Sequence, residues 1–277
     1  MQTWDYIIVG AGSAGCVLAN RLSADPSNRV LLLEAGDRDR NPWIHIPMGY
    51  GKLFNHPTLN WAYESEPEPH CNGRRIFTPR GKVLGGSSSI NGLVYVRGQA
   101  QDFDQWQVPG WTYNDLLPSF IKAEDQSRGP DAWHGVGGPF AVSDLPDRHR
   151  LCDDFIASAQ AIGVPRNDDF NGERLEGSGT WDFALQKGWR VSSATAFLRP
   201  AQGRGNLAVE THAHVTRILL RDREARAVEY VRGGHRMVAE ARREVILCAG
   251  AINSPKILLH SGIGDAAVLS QHGIETV

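Results

Sequence analysis

Tyr6-Ile7-Ile8-Val9-Gly10-Ala11-Gly12-Ser13-Ala14-Gly15, followed by Cys16-Val17-Leu18-Ala19-Asn20-Arg21-Leu22, reads as a strand, a glycine turn and a helix in immediate succession. The opening run is apolar throughout, the pattern of a strand covered on both faces of a parallel sheet. The next six residues follow G-x-G-x-x-G, and the apolar spacing after them suits a helix packed on that sheet. A second strand-like run, Arg29-Val30-Leu31-Leu32-Leu33, ends on Glu34, about 20 residues beyond the last glycine. Gly10 permits the tight turn, Gly12 lets a pyrophosphate approach the backbone, and Gly15 lets the helix sit close to the strand. The helix N-terminus offers N–H donors to phosphate oxygens, and Glu34 can accept from ribose hydroxyls. The predicted fold is α/β, with a mainly parallel, Rossmann-like sheet that binds a dinucleotide. The pattern alone does not separate NAD from FAD.

A second glycine-rich stretch, Gly81-Lys82-Val83-Leu84-Gly85-Gly86-Ser87-Ser88-Ser89-Ile90-Asn91-Gly92-Leu93-Val94-Tyr95-Val96-Arg97-Gly98, bears on which cofactor is held. Two adjacent glycines remove side chains at consecutive positions, and three serines and Asn91 follow with hydrogen-bonding groups. Taken alone, a glycine-serine stretch is as readily a flexible connector. Here it lies between Arg80-Gly81-Lys82-Val83 and an alternating apolar run, Leu93 to Val96, so it reads as a loop wedged between ordered elements that lies flat against a planar ligand.

The third stretch is Gly250-Ala251-Ile252-Asn253-Ser254-Pro255-Lys256-Ile257-Leu258-Leu259-His260-Ser261-Gly262-Ile263-Gly264, directly after the strand-like Glu244 to Ala249. Pro255 suits a first helical turn, with Asn253 or Ser254 as its cap, and Ser261-Gly262 stops the helix. By itself this is an ordinary strand-to-helix turn.

Together the three stretches resemble the signatures of the glucose-methanol-choline (GMC) oxidoreductase family, flavoenzymes that oxidise alcohols with FAD. Asn60-Trp61-Ala62-Tyr63-Glu64-Ser65-Glu66-Pro67, Trp133-His134-Gly135 with Gly137-Gly138-Pro139, and Ser192-Ser193-Ala194 with Phe197-Leu198-Arg199-Pro200 are similar to that family as well. The resemblance covers essentially the whole chain and is nearest the choline-dehydrogenase-like branch. It implies that Gly10, Gly12, Ser13, Ala14 and Gly15 hold the pyrophosphate and Glu34 the adenosine ribose. It places Gly85, Gly86, Ser87, Asn91, Gly92 and Val94 along the pyrophosphate and isoalloxazine, and Val215, Ala249 and Gly250 on the adenosine side. Trp61 reads equally as a cover on the pocket or as a packed core aromatic. Where some members attach the flavin through a histidine, this chain has Ile90, so FAD is expected to be held non-covalently.

The implied chemistry is hydride transfer from a small-molecule alcohol to flavin N5, with a base taking the hydroxyl proton; a histidine is the natural base near neutral pH. The family's catalytic histidine belongs to a C-terminal half that the sequence through Val277 does not contain, and none of the ten histidines matches its motif. The expectation is therefore an N-terminal portion of an FAD-dependent alcohol or choline-type dehydrogenase, inactive by itself. A non-catalytic FAD-binding remnant and a cyanohydrin lyase of the same family are the alternatives. Neither the alcohol nor the electron acceptor is specified.

Composition adds exclusions. A net charge of −2 gives no reason to invoke nucleic acid. Cysteines at 16, 71, 152 and 248 have no C-x-x-C spacing, which argues against a zinc site or a disulfide framework and for a reducing compartment. His212 and His214, two apart on an expected strand, share a face but have no third ligand nearby and read as a solvated face, so no metal is assigned. The first strand starts too early for a signal peptide and no apolar run is long enough to cross a bilayer, so the cytoplasm is expected.

By domain, residues 1–136 are expected to form the first part of the FAD-binding domain, 137–190 part of a substrate-binding domain, and 191–277 the second FAD-binding part. Residues 206–211, 215–220 and 225–231 read as a small antiparallel meander before the Val245 strand rejoins the parallel sheet.

Overall fold

The computed structural model describes residues 3–145 and 147–277. Its first strand, β1 (Thr3–Val9), enters the chain's glycine turn, and α1 (Ser13–Leu22) and β2 (Val30–Leu33) follow. β1 pairs with β2 in parallel, with Tyr6 opposite Val30 and Val9 opposite Leu33. These strands are apolar on both faces because both faces are covered: Ile7, Ile8, Leu31, Leu32 and Leu33 are all essentially buried. Full burial of each such side chain contributes about 1.5–3 kcal/mol. α1 turns Gly15, Cys16, Ala19 and Asn20 inward, the i, i+4 spacing that keeps one helical face on the sheet.

The sheet is completed from the far end of the chain by β3 (Leu207–Glu210), β4 (His214–Arg221), β5 (Glu224–Arg232) and β6 (His235–Leu247), in the order β3-β2-β1-β6-β5-β4. β3 differs from expectation. It pairs with β2 in parallel, Leu207 opposite Val30, and so extends the dinucleotide sheet instead of opening the meander. The antiparallel part consists of β4, β5 and the first half of β6, with Val228 opposite Ala239. β6 is a single 13-residue strand. Its first half pairs with β5, and its second half runs parallel to β1, with Ile7 opposite Val245. One continuous strand thereby joins the meander to the parallel sheet.

α2 (Gly250–His260) follows β6 and packs on β4. It begins at Gly250, earlier than the expected cap at Asn253 or Ser254, so Pro255 lies inside the helix. Ser254 instead accepts a hydrogen bond on Oγ from the Ala249 amide, 3.1 Å away. Ser261 and Gly262 (φ +80°) end the helix as expected.

The chain forms two compact units, Met1–Asn91 with Ser192–Val277, and Gly92–Val191. The second unit starts at Gly92. Hydrogen bonds account for this: Arg97 donates to Glu124 Oε2 and to the Trp133 carbonyl, its own amide donates to Asn171 Oδ1, and Val94 pairs across strands with Phe183. This unit is short of regular structure. Its longest helices, Tyr113–Ala123 and Arg150–Ala161, bury no residue and Ile156 alone, respectively.

Candidate cofactor site

In the first unit, the C-terminal ends of β1 and β2 and the start of α2 surround a cavity of about 660 Å³, within the roughly 300–1,000 Å³ usual for small-molecule sites. Gly10, Gly12, Ser13, Ala14, Glu34, Gly86, Ser87, Val215, Ala249 and Gly250 all line it, so ten of the residues singled out in the sequence share one wall. Gly15 and Gly85 stand behind the surface. A Cβ on Gly15 would lie 1.9 Å from the Gly10 carbonyl oxygen, so helix and turn meet there with no room for a side chain. Gly85 (φ +89°) donates its amide to the Ala11 carbonyl at 2.7 Å. Asn91 is exposed at the end of the first unit, and Gly92 and Val94 belong to the second.

The Gly81 stretch is not a flexible connector. Ser88 Oγ donates to the Gly85 carbonyl and accepts from the Ser193 amide, and Ser89 Oγ donates to the Leu84 carbonyl. A Cβ on Gly86 would come within 2.8 Å of Gly12 Cα, so the two glycine loops touch backbone to backbone. At Gly12 the ideal Cβ meets only the Cys248 oxygen, at 3.8 Å. Gly12 is also the N-cap of α1 and brings no side-chain acceptor, and no acid lies in the first turn, so the helix's N–H donors stay available to an anion. The cavity wall thus has the open backbone and the unclaimed donors that a pyrophosphate requires.

Glu34 is buried at 5% exposure. Its Oε2 accepts from the Ala11 amide and its Oε1 from the Gly36 amide, both at 2.8 Å. Burial pushes this carboxyl up to about 7, against the opposing pull of those two amides, of Lys82 and of the Ala35 amide. A carboxylate has about four lone-pair sites, so acceptor capacity remains for ligand hydroxyls.

Tyr63, Asn253 and His214 also line the cavity and had no assigned role there. Tyr63 Oη donates to Asn253 Oδ1 at 2.6 Å. Trp61, which lines the cavity too, stacks on Tyr63 with centroids 5.9 Å apart, meets His214 edge-on, and has the Lys82 ammonium 4.6 Å from its centroid. Tyr63 is in the same short motif as Trp61 and Asn253 is in the third glycine stretch, but their pairing spans 190 residues. His212 and His214 do not form a strand-face pair. His212 lies outside β4 with φ +56° and pairs with Asp37 at 3.2 Å, whereas His214 opens the strand. Burial, with Lys82 and Lys256, lowers the His214 pKa.

In the second unit Asp131, His134 and Asp169 bring ligand-type atoms within 4.8 Å of one another. His134 Nδ1 lies 3.0 Å from Glu124 Oε2 and Nε2 lies 2.9 Å from Asp169 Oδ2. With a carboxylate on each nitrogen the ring donates from both, an imidazolium with no lone pair for a metal. Burial pulls its pKa down, but the bonds to Asp169 and Glu124 outweigh this and push it up to about 9.

A strand–glycine turn–helix with an acid closing the second strand and a cavity at the strand ends defines a dinucleotide-binding α/β protein. The chain belongs to the GMC oxidoreductase family, whose model matches residues 4–273. It is 48% identical to an alcohol dehydrogenase (acceptor) of Pseudomonas putida, a match covering 99% of this chain and 51% of that protein. An oxygen-dependent choline dehydrogenase of Sinorhizobium fredii is 45% identical over 98% of this chain and 50% of its own length. Pyridoxine 4-oxidase from Mesorbium loti superposes with a TM-score of 0.95 at 35% identity, covering 99% of this chain and 55% of that one. The family and its structural neighbours are FAD-binding flavoproteins. The chain spans about half the length of the curated relatives it matches. No helix among the described residues is long and apolar enough to cross a membrane.

Proposed function

We propose that this chain is the FAD-holding part of an oxidoreductase acting on CH–OH groups, with an alcohol or choline-type compound as substrate. The observation that carries this reading is the single cavity that gathers the G-x-G-x-x-G turn, Gly86 with Ser87, Ala249 with Gly250, and Glu34 from distant parts of the sequence. The names of the relatives supply the substrate class.

Gly12 and the first N–H groups of α1 would hold the pyrophosphate, Glu34 the adenosine ribose, and Val215 with Ala249 the adenine side. When bound, FAD supplies the two-electron acceptor for the oxidation. This chain's residues bind and orient: the Gly12–Gly86 contact fixes the spacing of the two loops, and the Glu34 bonds to Ala11 and Gly36 fix the turn on which the phosphates would lie. Gly15 and Gly85 set that backbone from behind. Asn91, at the end of the same unit, would follow the isoalloxazine. Ile90 is packed with Ile44, Leu53, Leu59 and Val83 and has no nucleophilic atom, which supports non-covalent attachment. All four cysteines are free, which fits a reducing compartment such as the cytoplasm.

The test is to load the protein with FAD and precipitate it with acid. Intact FAD is expected in the supernatant; flavin that stays with the precipitate overturns non-covalent attachment, and failure to take up FAD overturns the cofactor reading. Glu34→Ala is expected to weaken FAD binding by about 1–3 kcal/mol, the scale of a charge-assisted hydrogen bond left unmade.

A further inference from the structure

Glu34 is the acid of the cavity wall, and it is placed where a carboxylate is hard to keep ionised. It is buried, both oxygens accept only neutral backbone amides, and no cation stands within ion-pair distance among the described residues. An unpaired buried charge is strongly disfavoured, so such a group holds its proton unless something else stabilises the anion. The groups facing it do little to help. Lys82 attracts it from the Gly81 loop, but its ammonium is over the Trp61 ring. Cys16 on α1 is itself a buried acid. Glu210 on the neighbouring β3 is held by Tyr230 and Arg232, and Asp37 and His212 pair with each other. His214, Lys256, Arg80 and His260 line the same cavity without bonding Glu34.

A ribose diol supplies O–H donors to the acceptor capacity that the backbone amides leave unused. Donors to the anion favour the ionised form, whereas a neutral acid keeps a hydroxyl that competes for the same space. Resting on the FAD reading above, we propose that capture of the cofactor is proton-linked through Glu34: binding drives its proton into solvent, and affinity rises with pH across the neutral range. The effect is a pH-sensitive step in assembling the holoprotein. The rise in the Glu34 pKa in the cofactor-free protein agrees with this geometry.

The sign separates Glu34 from the other titrating groups. Histidines on the cavity wall gain positive charge as the pH falls and would draw the pyrophosphate more strongly, giving affinity that falls with rising pH. The experiment measures the FAD dissociation constant of the chain by flavin fluorescence between pH 6 and 8, and proton release by calorimetry at pH 6.5 in two buffers of different ionisation heat. Binding about tenfold tighter at pH 8 than at pH 6, with net proton release, is expected from linkage, and Glu34→Gln is expected to flatten the profile. Affinity that is flat or falls with pH overturns the proposal, as does a Gln variant that keeps the wild-type slope. If the variant does not fold, the wild-type proton count decides. Absence of FAD binding at every pH would refute the cofactor reading itself, a result distinct from a flat profile.

Discussion

Glu34 in the first unit and Glu124 in the second are both buried carboxylates, yet their surroundings share almost nothing. Glu34 receives two backbone amides and faces a cavity. Glu124, with no exposed surface, receives the Arg97 guanidinium at 2.9 Å, the His134 ring at 3.0 Å and the Gly135 amide at 3.1 Å. The chain of charges continues from His134 to Asp169 and through Arg128 to Asp182 and Asp144. The first unit has a wide sheet whose apolar burial stabilises it, and can leave one buried acid without a counter-charge where a ligand would complete it. The second has two-stranded sheets and nearly bare helices, and it closes its buried charges on one another. A buried acid with unused acceptor capacity beside a cavity points to a ligand, and a buried acid with its acceptors filled points to architecture.

The sharpest way to break this comparison is through the glycines. Gly15→Ala is expected to abolish the folded first unit, because its Cβ would need the space of the Gly10 carbonyl. Gly12→Val projects into open space and is expected to leave near-wild-type circular dichroism while eliminating FAD uptake. Equal loss of fold in both variants would show that Gly12 is structural.

Glu124→Ala is expected to destabilise the protein by about 3–5 kcal/mol in urea, since it strands a buried guanidinium and a buried imidazolium. A change below about 1 kcal/mol would mean that the network is not what holds the second unit.

The pH dependence separates the two units by window. His134 has a folded pKa of about 9, above its ordinary 6.5, so its stabilisation is fully present below pH 6.5 and is lost as the pH rises through 9. Glu34 is an acid raised from 4.5 to about 7. Its ionisation therefore opposes folding, with no effect below pH 4.5 and the full effect above pH 7 in the cofactor-free protein. Stability profiles are expected to lose the alkaline limb in His134→Gln and the mildly acidic limb in Glu34→Gln, with FAD reducing only the latter. A single limb untouched by either variant would contradict both assignments.

The smallest effect is expected from Tyr63→Phe, which removes the bond to Asn253 and is predicted to lower stability by about 0.5–1.5 kcal/mol. No change would mean that water replaces the bond without loss.

Much of the first unit was legible because its signals are local. The β1 turn needs Gly10 at φ +100°, and two covered strands need unbroken apolar runs; neighbours a few residues apart express both requirements. β3 was misread as part of the meander because Leu207–Glu210 has the same short, mixed character in either direction of pairing. The first half of β6, His235-Arg236-Met237-Val238-Ala239-Glu240, was not recognised because it is largely solvent-facing and so has no apolar period. The compact unit from Gly92 to Val191 has no local signature in the sequence, because Arg97, Glu124, Trp133 and Asn171 are scattered positions whose link is hydrogen bonding rather than pattern.

Residue type and short-range spacing were enough to specify the dinucleotide turn and the acid that ends β2, since φ preferences and burial periodicity act within one turn or strand; the family came from the resemblance of whole motifs. The protonation of Glu34, the double bonding of His134 and the joining of Tyr63 to Asn253 depend instead on groups up to 190 residues apart. They arise from desolvation and from which donor meets which acceptor, and those quantities exist only once the chain has folded.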